Sequence, residues 1–390
     1  MPKYDIMLYW SFVYKGKNIE FGGETKNYDL GIIKNKVLQL VQGNPVSVGL
    51  DIGNHSVKIV EILHHPSGPV LMGAGIHVFK VGTIVNGEIR NKDELLHAIQ
   101  SLLQKASSSK KQKEVNFALS WSYGVLADRM KIKSNNMESD EEQILSEASR
   151  HSPFDVEDIQ LDYKIINKNE TNQEIEVLLV AAKYKMMQPF LDLIRGAGLT
   201  PINVDVDTFA IANGYFFSAP DEDKGKVVCL ANIGEFTTNL TFIKHGHYHS
   251  TRDIPTAGHN FIRSLENHLE VSNSEATSIL KGRANEDYDV DTYLNCIEGC
   301  VDELSEGMTQ VFNYFQSSEQ NLPIDKIILS GGGACIERLP ELLSNKHDIE
   351  VKIADPLSHL AYDKKKFTSS IPKEISTTLT VATGLALRKF

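Results

Sequence analysis

Cysteine is scarce in this chain. Four are spread over 390 residues, at 229, 296, 300 and 335. Only Cys296 and Cys300 are close, on one face of an expected helix. That is no disulfide framework; it reads as reduced, mostly buried thiols. Long hydrophobic runs are missing too. Nowhere do 18 apolar residues follow one another, which excludes a membrane-spanning helix. The best run, Val177 to Ala182, has the length of a buried strand. Positive charge is not in excess. Forty Lys and Arg stand against 51 Asp and Glu, a net charge of −11, which gives no support for a nucleic-acid footprint. Glycine (27) and proline (13) are ordinary, which excludes collagen-like or wholly disordered chains. Walker A, Rossmann and G-x-S-x-G patterns are all absent. The opening MPKYDIMLYWSFVYKGK is short in apolar residues and broken by Asp5, so it does not read as a signal peptide. The expected compartment is the cytoplasm.

What is present is the composition of a soluble globular chain, 41% hydrophobic and 23% charged, long enough for two to four domains. Residues 1–44 form a preface of uncertain structure. Its 32–42 stretch has the pattern of a short amphipathic helix, and its aromatic and lysine residues read as a strand or tail. From Pro45 onward the signals sharpen. Strands are expected at 46–50, 57–63 and 70–80, a tight turn at Asn86-Gly87, a helix at 93–105 and a strand at 115–120. A small α+β unit follows over 121–182, with strands near 125–132, 159–166 and 175–182 and a helix at 138–150. Next come a helix at 184–196, a strand at 200–205 and a helix at 208–217. After DEDKGK (221–226) the opening pattern returns: strands at 227–233, 239–244 and 247–253. Two such openings about 180 residues apart predict a duplicated architecture with two facing lobes. Helices at 258–270, 273–281 and 289–318, a strand at 327–330 and a last helix at 376–388 complete the chain.

Three stretches carry chemistry. In GLDIGNHSVK (49–58) a strand delivers Asp51 to a tight turn. Gly53 supplies the positive φ such a turn would need, backbone N–H groups can cup a phosphate, Ser56 adds a hydroxyl and Lys58 a compact charge. Asp51 could hold a water of a Mg²⁺ shell. ANIGEFTT (231–238) repeats the logic with Gly234 and Thr237, but with neutral Asn232 where the first turn has Asp51. In SGGGA (330–334), the triple glycine Gly331, Gly332 and Gly333 follows a buried strand and suggests close backbone approach to a ligand. Each stretch alone also fits an ordinary turn. Asp205 and Asp207 sit between a strand and a helix. Asp207 reads as the N-cap of helix 208–217, or as a group that positions a water near a γ-phosphate. His245, His247 and His249 alternate along a strand and read as a solvated edge rather than a zinc site. His55 reads as a plain loop residue.

Together the turns, the triple glycine and VATGLALR (381–388) resemble the actin, sugar-kinase and Hsp70 superfamily. Within it they resemble the PilM family of actin-like type IV pilus assembly proteins, relatives of the division protein FtsA. VGLDIGNHSVKIVEI (48–62), ASRHSPFDVEDIQLDYKII (148–166), VLLVAAKYKMMQPFLDLIRGAGLTPINVDVDTFAIANG (177–214), FIRSLENHLEVSNSEATSILK (261–281) and LSGGGA (329–334) carry the likeness, in family order. The resemblance implies an α/β, actin-like/Hsp70-type ATPase fold, with two lobes around a nucleotide cleft. The first lobe would comprise 45–120, 186–222 and 361–390. A small inserted α+β domain would cover 121–185, and the second lobe 223–360. It implies ATP and Mg²⁺ as cofactors. Asp51, Gly53, Asn54, Ser56 and Lys58 would form the first phosphate loop, and Gly234, Glu235 and Thr237 the second. Gly331, Gly332 and Gly333 would form the adenosine loop, with Lys281 near the nucleoside. Asp51 would serve the metal, and Asp207 would act in catalysis as the water-positioning group.

Two departures stand out. Asn232 and Thr277 replace acidic residues usual in relatives, and Asn232 implies weak or absent hydrolysis. The implied function is an ATP-binding cytoplasmic adaptor of type IV pilus or related secretion-system assembly, peripheral at the inner membrane. It would bind the cytoplasmic N-terminal tail of a PilN-like bitopic membrane protein and link it to the motor machinery. Pilus motor ATPases and self-association stay open as further partners. The alternative is an FtsA-like filament-forming protein. The ending at 388–390, directly after the last helix, weighs against that reading, and the small domain weighs against a sugar or acetate kinase.

Overall fold

Two antiparallel hairpins, alike in their turns, seed the two large sheets of the computed structural model. It describes residues 12–13, 45–106, 113–122, 124–133, 140–151, 155–169, 173–283, 288–362 and 373–388. The helix expected over 32–42 lies outside these residues. The first sheet has seven strands, in the order Phe12–Val13, Thr200–Val206, Glu114–Leu119, Val46–Ile52, Ser56–His65, Gly68–Val78 and Ala361–Tyr362. The second has five, in the order His247–Ile254, Thr238–Lys244, Val227–Ile233, Lys326–Ser330 and Glu350–Ile353. In each, the first hairpin strand also pairs in parallel with a later strand, Glu114–Leu119 in one case and Lys326–Ser330 in the other. A parallel neighbour needs a crossover, and helices supply it on the faces of both sheets.

Binary patterning explains the layers. The helix Lys92–Ala106 buries Leu95, Ala98, Ile99 and Leu102, a stripe at helical spacing. It packs against strands Ser56–His65 and Gly68–Val78. The 29-residue helix Val290–Ser318 buries Cys296, Cys300, Leu304, Met308, Phe312 and Phe315. Phe315 stacks on Phe242 of the second sheet at 4.4 Å. The two thiols are thus core residues, as their spacing suggested. A three-stranded antiparallel sheet, Val125–Lys133, Glu174–Lys183 and Ile159–Asn169, forms the small unit. Leu178, Val180 and Ala182 join the first core, while Ile175 and Val177 pack with Ile132 and Ile144 of the helix Asp140–His151.

The end of the chain differs from expectation. Instead of one helix over 376–388 there are two, Lys373–Thr378 and Thr380–Ala386. Thr378 and Thr380 hydroxyls donate to the carbonyls of Ile375 and Thr377. Such local bonds compete with the helical ladder and favour a break. The second piece lies directly on helix Asp207–Ser218. A Cβ on Gly384 would stand 1.8 Å from the Ala210 carbonyl oxygen, so only glycine permits the approach. The strands Glu350–Ile353 and Ala361–Tyr362, both at sheet edges, were not anticipated; four and two residues are too short to show alternation. His245 stands in a tight turn at φ 51° rather than on the strand.

The connection between the sheets is anchored by charge. Asp223 is buried after helix Asp207–Ser218 and accepts from Tyr215 Oη at 2.5 Å and Lys326 Nζ at 2.6 Å. Burial would raise its pKa, but the hydrogen bonds from Lys326, Tyr215 and Lys226 outweigh that and hold it below the ordinary carboxylate value.

Candidate functional site

The first turn is built by register. Asp51 lies opposite Lys58 across the hairpin, and Lys58 Nζ meets Asp51 Oδ2 at 2.9 Å with both side chains largely buried. The Gly53 N–H donates to the Ser56 carbonyl at 3.0 Å, and the Phe79 N–H holds the His55 carbonyl at 3.1 Å. Gly53 is not at positive φ, contrary to the sequence reading. A Cβ there would come within 3.3 Å of Lys58 Nζ, the far end of a flexible side chain.

The second turn repeats the backbone. The Gly234 N–H donates to the Thr237 carbonyl at 3.0 Å, and Asn232 lies opposite Asn239. The start of helix Gly258–Leu269 braces it, since the Gly258 and His259 N–H groups donate to the carbonyls of Gly234 and Glu235 at 3.0 and 2.8 Å. Asn232 Oδ1 accepts from Ser330 Oγ at 3.3 Å. Beside it Gly331 takes φ 85°, and a Cβ there would lie 2.6 Å from both Asn232 Oδ1 and the Ile233 carbonyl oxygen. Here the glycine answers both a left-handed backbone and a close approach.

The turns face one another across a cavity of about 590 Å³. His55 Nδ1 of the first turn lies 3.5 Å from Glu235 Oε1 of the second. Ser122 Oγ and Thr237 Oγ1 stand 3.4 Å apart. All thirteen residues that the resemblance implied for the site line this space: Asp51, Gly53, Asn54, Ser56, Lys58, Asp207, Gly234, Glu235, Thr237, Lys281, Gly331, Gly332 and Gly333. Lys281 follows helix Asn273–Leu280 at the end lined by Ile262, Leu280 and Ile336. The arrangement brings a charge-paired turn, a turn with a neutral hairpin pair and a glycine turn to one space of nucleotide size.

Asp207 corrects the sequence reading. It is the first residue of its helix, Val206 being the flanking residue, so it does not act as the N-cap. Its Oδ1 accepts the Trp121 N–H at 2.9 Å and the N–H of its own neighbour Thr208 at 2.8 Å. Loss of hydration at the cavity wall pushes its carboxyl up to about 7, and Asp253 and Asp51 add to the rise while the Trp121 bond opposes it. Asp205 is a structural counterpart. It pairs with Arg388 at 2.9 Å in the core, and burial lifts it to about 6 against the pull of Arg388.

Sequence reading missed His55, Asn239, Asp253 and Ser122. Asn239 was within reach, because counting back across the hairpin from Asn232 finds it. The others meet the site only through tertiary contact. Asn239 Nδ2 donates to Asp253 Oδ1 on the edge strand, and Ser122 also bonds Asp253. Among the described residues no three His, Cys, Asp or Glu groups converge to hold a metal directly, and no helix is long and apolar enough to cross a membrane.

Known proteins resemble this chain in sequence and in fold. The model of the family described as type IV pilus assembly protein PilM matches residues 49–390. A solved PilM-PilN type IV pilus biogenesis complex contains a chain 24% identical, at a TM-score of 0.74, covering 87% of this chain and 97% of that one. The ethanolamine utilization protein EutJ from Carboxydothermus hydrogenoformans is 15% identical, at a TM-score of 0.54 over 88% of this chain and 90% of that one. Among curated proteins, cell division protein FtsA of Bacillus subtilis (strain 168) is 22% identical over 275 residues, 64% of this chain. The match spans 60% of that relative's length. The fold is the actin-like one that the sequence motifs implied.

Proposed function

Because the chain belongs to the type IV pilus assembly protein PilM family, we propose that it is a nucleotide-binding adaptor of type IV pilus assembly. The observation that carries the reading is the single cavity in which two phosphate-type turns and the Gly331 turn meet. ATP would lie there with its phosphates between the turns and its base toward Lys281 and Ile262. Lys58 would give a charge-assisted contact to phosphate, and the backbone N–H groups of Asn54 and Glu235, next to the glycines whose own N–H groups close the turns, would line the path. Mg²⁺ would enter with the phosphates: the walls hold acceptors, and among the described residues no direct metal cage forms. Turnover would be slow: Asn232 brings no charge to a metal or a water. Phosphate release barely above background is the expected measurement.

The partner would be the cytoplasmic N-terminal tail of a PilN-like bitopic membrane protein, which would place the chain peripherally at the inner membrane. The small three-stranded sheet beside the first lobe supports this reading. Its Leu126, Met130, Leu161 and Tyr163 are only half-buried, and ligand sites favour such domain boundaries. Co-expression with a candidate tail, pull-down and hydrogen exchange test it. Protection should fall within 120–190 and the facing part of 46–110. Protection confined to 223–360, or no capture at saturating tail, would sink the assignment.

A further inference from the structure

The first sheet would end at strand Thr200–Val206, but the chain's own upstream residues cover that edge. Phe12 lies opposite Val204 and Val13 opposite Asn203, in antiparallel register. Both precede residue 49, where the match to the family begins. The cover is therefore supplied from outside the matched span.

An edge strand offers backbone N–H and C=O groups to any extended chain, and proteins blunt such edges. Here the blunting is partial. Pro201, near the start of the strand, has no N–H to offer. At the other end the Val206 N–H goes to the Asp205 carboxylate at 2.8 Å. Between these points the cover pairs with Asn203 and Val204 alone. Strands commonly run about five to six residues, so a two-residue pairing is a short hold that a longer extended segment can displace.

The edge also leads to the small sheet. Val206 runs directly into Asp207, which holds the Trp121 N–H at the entry to that unit. Arg388, the ion partner of Asp205, acts on the small sheet as well. Burial pushes the carboxyl of Asp162, on strand Ile159–Asn169, up to about 6, while the Tyr163 N–H and the Arg388 charge pull it back. An extended peptide laid along Thr200–Val206 would thus run to the boundary between the lobe and the small unit.

We infer that Phe12–Val13 is a built-in competitor, which holds the Thr200–Val206 edge until the tail of the membrane partner takes its place by strand addition. The inference rests on the partner reading above and deepens it: it names the edge the tail would use and the segment that keeps it closed. Apparent affinity is reduced by the fraction of molecules whose edge is open. The segment therefore sets a threshold of tail concentration and does not block the tail outright.

Full-length chain carrying both Phe12→Pro and Val13→Pro tests this. Neighbouring N–H groups of a strand point to opposite sides, so prolines at both positions remove the one that faces Thr200–Val206, whichever it is. Calorimetry and hydrogen exchange compare this variant with the wild type, with and without a synthetic peptide of the candidate tail. Alone, the variant should exchange faster than the wild type within 202–205. With the peptide, the same amides should be protected in both chains, alongside those within 120–190. The variant should bind the peptide about tenfold more tightly, the factor expected if the edge is open in about a tenth of wild-type molecules. Equal or weaker binding by the variant overturns the inference. Peptide binding that leaves 202–205 unprotected in the variant overturns it too. The partner reading survives both of those results. Binding by neither chain at saturating peptide removes the partner reading, and this inference with it.

Discussion

Position for position, Asp51 opposite Lys58 in the first hairpin corresponds to Asn232 opposite Asn239 in the second. Both turns close with the same bond, from the glycine N–H to the carbonyl three residues on, at 3.0 Å in each. The backbone is duplicated and the chemistry is not. The first turn keeps its ion pair internal. The second turn is neutral at its hairpin pair, carries Glu235 at its tip beside His55, and has a further carboxylate one strand outward, at Asp253. Symmetry of fold thus leaves charge free to diverge, because a turn's backbone bonds do not depend on the side chains that flank it. The proposed division of labour is phosphate charge read by the first turn and geometry read by the second.

The sharpest way to break the comparison is through the glycine that only the second turn leans on. Gly331→Ala should lower the free energy of unfolding by about 2–4 kcal/mol, from a left-handed backbone and an added carbon 2.6 Å from two oxygens. Gly332→Ala, whose added carbon meets nothing nearer than 4.0 Å, should change little in the same urea melt. Next in size is Lys58→Ala. It removes the only lysine at the turns and leaves Asp51 unpaired, so nucleotide affinity should drop by about 1.5–3 kcal/mol in a fluorescence titration. If affinity holds, charge reading does not belong to the first turn.

Asp207, between the turns, should show itself through pH. In the unfolded chain it gives up its proton near the ordinary 3.8, and in the fold it keeps it to about 7. Between those values the folded state binds the extra proton, so this group withdraws stability as pH rises through the window. Asp207→Asn should flatten that component of the pH–stability curve; an unchanged curve would remove Asp207 as its source. The smallest effect belongs to the bridge between the turns. His55 is 46% exposed and 3.5 Å from Glu235, and pairs of that kind contribute about 0–1 kcal/mol. His55→Ala should therefore move a thermal melt by a degree or two, and a large shift would make the bridge a true clasp.

The hairpins, both glycine turns and the helical stripes were legible in the sequence, because period, turn residues and register are local. So were all the cavity-lining residues first singled out, since each sits on a turn or directly after a strand or helix. What stayed hidden is what tertiary contact creates. His55 looked like any loop residue until Glu235, 180 positions away, was brought beside it. Asp253 carries no motif, and its meaning comes from the strand pairing that sets it against Asn239. The break at Leu379 depends on threonine hydroxyls choosing nearby carbonyls, a contest that periodicity does not register. Gly53 misled because glycine signals both backbone handedness and lack of bulk, and sequence does not say which.

The short stretch Trp121–Ser122, where the chain leaves the first sheet for the small one, is gripped by the cleft at two points. Asp207 holds the Trp121 N–H, and Ser122 lies against Thr237 of the second turn. A few residues later the Gly124 carbonyl accepts the N–H of Lys183, the returning end of the small sheet. An occupant of the cleft that displaced either grip would act on the mouth of the small sheet as well. Thermodynamic reciprocity then applies: whatever factor the occupant imposes on the affinity of a peptide seated there, the peptide imposes on the occupant. A tail fixed to a membrane would thereby set how long a nucleotide dwells, with no chemical step required, and the molecule would report attachment as residence time.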